Sequence, residues 1–155
     1  MKKEFREAIE DSPIITAIKD DEGLAKCKTV DSKVVFILYG DNCNITDIVA
    51  EVKAAGKVAL VHLDLINGLN SKEIAVDFIH KYTKADGIIT TKPALIKRAR
   101  DLNMYTVLRF FVIDSMAFGN IEKQLKSRNF LFVIGEHVRM FLMISLMYWL
   151  VIYQE

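Results

Sequence analysis

Cysteine is scarce in this chain of 155 residues, with only Cys27 and Cys43, far apart and without a CxxC spacing. That excludes a disulfide framework, offers no zinc pattern, and makes a reducing cytoplasm the expected setting. An excess of one charge is also missing, because 21 basic residues face 20 acidic ones for a net charge of +1. No global field therefore favours nucleic acid, and any RNA-binding surface has to be a local patch. There is no P-loop, GxGxxG, HExxH or nucleophile elbow, and no low-complexity stretch or interdomain linker. The start, Met1 to Glu7, has no apolar segment behind its lysines, so no secretory signal is expected. The longest apolar run, Met140 to Tyr153, has 14 residues, short of the roughly 20 that a membrane-spanning helix needs. Extending it backwards brings in Arg139, His137 and Glu136, which are costly at membrane depth.

What remains is ordinary globular material, 52% hydrophobic and 26% charged, in a length that suits one domain. Up to about residue 128 the chain repeats one theme. Short apolar runs at Ile14 to Ile18, Val34 to Leu38 and Val58 to Leu65, and within the segments Asp86 to Lys92 and Thr106 to Asp114, predict strands. Helical patterns lie between them: a short one through Leu24 and Ala25, then Asn44 to Lys53 with apolar residues at 45, 48, 49 and 52. Gly56 is placed to end that helix, and Ser71 is the expected N-cap of the next, which contains Ile74 to Tyr82. Pro93 opens a helix over Ala94 to Leu102, and a weaker helix is expected over Ser115 to Leu125. Alternating strands and helices with short connections predict a parallel α/β fold, as an open doubly wound layer or as part of a barrel.

Three strands end in polar groups. They are Val61-His62-Leu63-Asp64-Leu65-Ile66-Asn67-Gly68, Asp86-Gly87-Ile88-Ile89-Thr90-Thr91-Lys92 and Thr106-Val107-Leu108-Arg109-Phe110-Phe111-Val112-Ile113-Asp114. Ligands of parallel α/β folds bind at the carboxyl ends of strands, where the loops converge. His62, Asp64, Thr90, Thr91 and Arg109 are therefore the candidate ligand-binding residues, suited to a small polar anion. His62 and Asp64, two apart, would share one side of a strand. They could work as an acid–base pair or serve as a satisfied polar pair at the mouth of the core. Arg109, set among apolar residues, needs an anion, either a ligand or the carboxylate of Asp64 or Asp114. Asp41, Asn42 and Asp64 offer oxygen ligands for magnesium, a pattern too unspecific to assign, and no metal or cofactor is expected. Lys92, Lys97, Arg98 and Arg100 form a local basic cluster, the candidate RNA-binding surface or a solvated helix face.

The same segments, with Ser12-Pro13-Ile14-Ile15-Thr16-Ala17-Ile18 and Val35-Phe36-Ile37-Leu38-Tyr39-Gly40 before them, resemble the glycerol-3-phosphate-responsive antiterminators. The resemblance covers residues 8 to 128, and His-x-Asp-Leu-Ile-x-Gly is its most specific piece. It implies a TIM-barrel-like fold, glycerol 3-phosphate as effector ligand and leader mRNA as partner. It also implies a regulator of glycerol-utilisation genes rather than an enzyme. The alternative is a phosphate-ligand-binding enzyme on the same barrel, with His62 as acid or base, Asp64 orienting it and Arg109 clamping the anion. From residue 129 the pattern departs: the tail has one glycine, Gly135, and no proline. The expected division is thus 1–128, a βα-repeat domain, and 129–155, an apolar tail of a truncated or frame-shifted copy. The tail has room for one strand and one apolar helix, which predicts an incomplete barrel of five to six βα units. Its exposed edges would favour homo-oligomers.

Overall fold

A computed structural model describes residues 3–12, 14–112, 133–137 and 150–152, and the side chains of 5, 7–9, 11–12 and 14–109. The elements run α1 (Lys3–Asp11), β1 (Thr16–Ile18), α2 (Asp21–Cys27), β2 (Val34–Ile37), α3 (Ile45–Ala54) and β3 (Val58–His62). A 3-10 turn (Leu63–Leu65) follows, then α4 (Glu73–Tyr82), β4 (Gly87–Thr90), α5 (Pro93–Asp101) and β5 (Tyr105–Val112). Two further strands are β6 (Val133–His137) and β7 (Leu150–Ile152). All seven form one sheet in sequence order, parallel from β1 to β6, with β7 antiparallel to β6. The described strands do not close into a barrel, since β1 and β7 are not neighbours.

The residues facing each side of the sheet decide between the two expected architectures. Val35, Ile37, Ala59, Val61 and Ile88 pack in one cluster with Leu24 and Cys27 of α2, Ile48 and Val52 of α3, Val76 and Ile79 of α4, and Leu95 and Ala99 of α5. The alternate residues Val34, Phe36, Leu60, Ile89 and Val107 form a second cluster on the opposite face, together with Phe5 of α1. Helices α2 to α5 thus all lie on one side, whereas a doubly wound layer would place them on both. This is the one-sided arrangement of a barrel-type sheet, with the second cluster on its inner face. Phe5 is fully buried, and its ring stacks on Tyr105 with centroids 4.3 Å apart. In this way α1 covers the amino-terminal end of the inner face.

Three local expectations are corrected. Ser71 is not the N-cap of α4; Lys72 holds that position, and no side chain caps the turn. The run from Val58 stops being a strand at His62, where the chain turns into the 3-10 helix. The apolar run at the carboxyl end includes a strand at Leu150–Ile152, where a helix was expected, because β6 offers an edge with which it pairs. The helix expected over Ser115 to Leu125 lies outside the described residues. Gly56, at φ +74°, and Pro93, in the first turn of α5, stand where the sequence placed them.

Candidate ligand site at the strand ends

The carboxyl-terminal edge of β3, β4 and β5 gathers the polar residues singled out from sequence, in a different arrangement from the one expected. His62 is the last residue of β3 and is 2% exposed. Asp64 stands in the 3-10 turn, so the two-residue alternation of a strand no longer governs it. Its carboxylate turns to the end of β4. Oδ2 accepts from the Thr91 backbone N–H at 2.7 Å, from the Thr91 hydroxyl at 3.0 Å and from the Thr90 hydroxyl at 3.1 Å. Oδ1 has only longer contacts, 3.2 Å to the Thr90 hydroxyl and 3.5 Å to the Lys92 ammonium. Burial alone would raise the Asp64 pKa. The Thr91 N–H and the two hydroxyls outweigh it and hold the carboxyl below its ordinary value.

On the inner face, Arg109 of β5 reaches across to β3, with Nη1 3.1 Å from His62 Nε2. Arginine has only donors, so His62 Nε2 accepts, which fixes the neutral ring with its proton on Nδ1. Asp64 and His62 thus make their described hydrogen bonds to different partners. Of the two carboxylates considered for Arg109, Asp64 is committed to Thr90, Thr91 and Lys92, and Asp114 lies outside the described residues.

The loop after β2 supports this edge. Asp41 and Asn67 form a short parallel bridge, in which Asn42 N–H donates to the Asn67 carbonyl at 3.1 Å and Asn67 N–H donates to the Gly40 carbonyl at 3.0 Å. Gly68 has φ +82°, and a Cβ there would lie 3.0 Å from the Asn42 amide carbon. The glycine of His-x-Asp-Leu-Ile-x-Gly thus lets the turn pack onto its neighbour. Asp41 and Asn44 are used within that loop: the Asp41 carboxylate accepts from the Cys43 and Asn44 N–H groups, and the Asn44 side chain accepts from Asp41 N–H. Among the described residues no cluster of metal-ligating side chains forms.

The four basic residues expected to contact RNA differ in their partners. Lys92, at the end of β4, points its ammonium at Asp64 and at the Ser71 hydroxyl. Arg98 is held by Asp77 of α4, with Nη2 2.7 Å and Nε 2.8 Å from Oδ1. Lys97 and Arg100 are both exposed on α5. Ser71 was legible only as an N-cap, and no spacing rule in the sequence connects it with Lys92, 21 residues on.

The sequence model of the glycerol-3-phosphate responsive antiterminators matches residues 14–133. The chain belongs to this family. A protein of Escherichia coli strain K12, YgcP, is 39% identical over 118 residues, which are 76% of this chain and 62% of YgcP. The crystal structure of a glycerol uptake operon antiterminator-related protein from Thermotoga maritima is similar with TM-score 0.70 and 33% identity. That match covers 80% of this chain and 69% of the Thermotoga chain. A glycerol uptake operon antiterminator regulatory protein from Listeria monocytogenes matches with TM-score 0.71 and 27% identity, over 80% of this chain and 66% of its own. The antiterminator match thus spans about two thirds of these relatives. No helix of the described residues is long and apolar enough to cross a membrane.

Proposed function

We propose that this chain acts in the cytoplasm as a transcription antiterminator of glycerol-utilisation genes, with glycerol 3-phosphate as effector and leader mRNA as target. The observation that carries the reading is the convergence of His62, Asp64, Thr90, Thr91 and Arg109 on one strand edge, in a family defined by its response to this ligand. The donors divide by chemistry. Arg109 supplies a planar cationic fork on the side of the anionic ligand, and His62, as its acceptor, orients that fork. Asp64 Oδ2 is saturated by its three donors, while Oδ1 keeps accepting capacity for a hydroxyl of the glycerol moiety. A carboxylate held ionised by threonine donors is a hydrogen-bond acceptor, and with His62 turned to Arg109 it orients no base. This favours binding over catalysis, hence a regulator rather than an enzyme.

For the RNA, Lys97 and Arg100 are three apart on the exposed side of α5 and supply phosphate contacts. Arg98 joins them if it leaves Asp77. The test is a titration of leader RNA with and without glycerol 3-phosphate. The expected result is tighter RNA binding with the ligand, and tighter ligand binding with RNA by the same factor. RNA affinity that is indifferent to the ligand would overturn the reading.

A further inference from the structure

Lys92 stands in a place where electrostatics disfavours it. It is the N-cap of α5, where the helix dipole presents positive charge, and its side chain makes no capping hydrogen bond. Lys72 is the uncapped start of α4, at the same edge of the sheet. Two adjacent helices that both open on lysine are poor choices for helix stability, and such local conflicts concentrate at functional sites. The Lys92 charge is only partly compensated: its nearest carboxylate oxygen, Asp64 Oδ1, is 3.5 Å away, and that carboxylate already has three closer donors on its other oxygen. The Lys92 side chain is 42% exposed while Asp64 is 16% exposed, so the ammonium sits on the solvent side of the pair. There it meets the Ser71 hydroxyl, on the loop that leads into α4.

We propose that Lys92 and Ser71 form the outer wall of the ligand site and read the phosphate group, so that Lys92 belongs to effector recognition and not to the RNA surface. This rests on the function proposed above and assigns a part of that site. An incoming phosphate oxygen can take the ammonium that Asp64 holds weakly and the hydroxyl proton of Ser71, without disturbing the Thr90 and Thr91 bonds that position Asp64. Lys92 would then distinguish a phosphorylated polyol from an unphosphorylated one.

The test is calorimetric titration of the full chain with glycerol 3-phosphate and with inorganic phosphate. It compares wild type, Lys92→Met, Ser71→Ala and a surface control, Lys26→Met, with melting curves to confirm folding. Ligand-free RNA binding is measured alongside. The expected result is at least tenfold weaker binding of both anions by Lys92→Met and a few-fold loss for Ser71→Ala. The control should match wild type, and RNA affinity should stay within twofold. Undiminished anion binding by Lys92→Met would overturn the assignment, as would a loss of ligand-free RNA binding with anion binding intact. If wild type binds phosphate through Lys92 but not glycerol 3-phosphate, the effector falls and the subsite stands. If wild type binds neither anion, both fall.

Discussion

At the amino-terminal end of the sheet, Lys57 is 8% exposed and its ammonium donates to the carbonyls of Val30 and Ser32 at 2.7 and 2.6 Å. At the carboxyl-terminal end, Lys92 is 42% exposed and faces Asp64 and Ser71. The same contrast holds for the acids. Asp86 takes the Lys53 ammonium at 2.7 Å and the Ala59 N–H at 2.8 Å, binding α3, β3 and the start of β4 into one unit. Asp64 is held by side chains and one N–H of the β4–α5 loop, and retains accepting capacity on Oδ1. At the first end the lysine donates only to carbonyls, and the acid ties a helix cation to a strand N–H. At the second end the polar groups are held mostly by one another's side chains, which leaves them able to exchange a partner for a ligand. One end is closed on the sheet, and the other has the exchangeable partners that the proposed binding requires.

The sharpest way to break this contrast is at Gly87, where a Cβ would stand 2.4 Å from the Tyr105 carbonyl oxygen. Gly87→Ala forces β4 and β5 apart where they begin. The expected loss is about 3 kcal/mol, read as a lower denaturation midpoint; an unchanged midpoint would mean that this end is loosely packed. Lys57→Met leaves two carbonyls without their donor and should cost about 2 kcal/mol. It should do so without changing ligand affinity, and a loss of affinity at unchanged stability would invert the contrast.

Asp64→Asn is the smaller stability change, about 1 kcal/mol, and its signature is pH. The carboxyl is held below its ordinary pKa in the folded chain, so its contribution is fully present above the unfolded value of about 3.9 and is lost as pH falls through the folded value. The difference between wild type and Asp64→Asn should therefore be constant near neutrality and shrink under acid. A difference that stays the same across the whole acid range would mean that ionisation of Asp64 does not matter. Lys92→Met should move stability least, by less than about 0.5 kcal/mol, as a half-exposed pair does. Urea denaturation checks this; a cost like that of Lys57→Met would show a structural lysine.

Much of the scaffold was legible because its signals are local. β-branched runs mark the buried strands, and Gly56 and Pro93 mark a helix end and a helix start through backbone preferences that act within one residue. Helix α1 escaped notice, since its short, charged sequence shows its purpose only when Phe5 meets Tyr105, a hundred residues away in the chain. The site was legible as a set of residues and not as pairings. His62 and Asp64 were linked by strand alternation, which stops where the 3-10 turn begins. Lys92 was grouped with Lys97, Arg98 and Arg100 by proximity in sequence, although its partners come from the β3–α4 connection. The lock at Asp86 was invisible for the same reason, because Lys53 and Ala59 precede it by a whole βα unit.

The division between the two ends is tested most directly by backbone amide chemical shifts recorded while glycerol 3-phosphate is added. Binding at the strand ends predicts the largest changes at Asp64, Ser71, Thr90, Thr91, Lys92 and Arg109, with Lys57, Asp86 and Gly87 unmoved. Changes centred on Lys57 and Asp86, or none at saturating ligand, would contradict it.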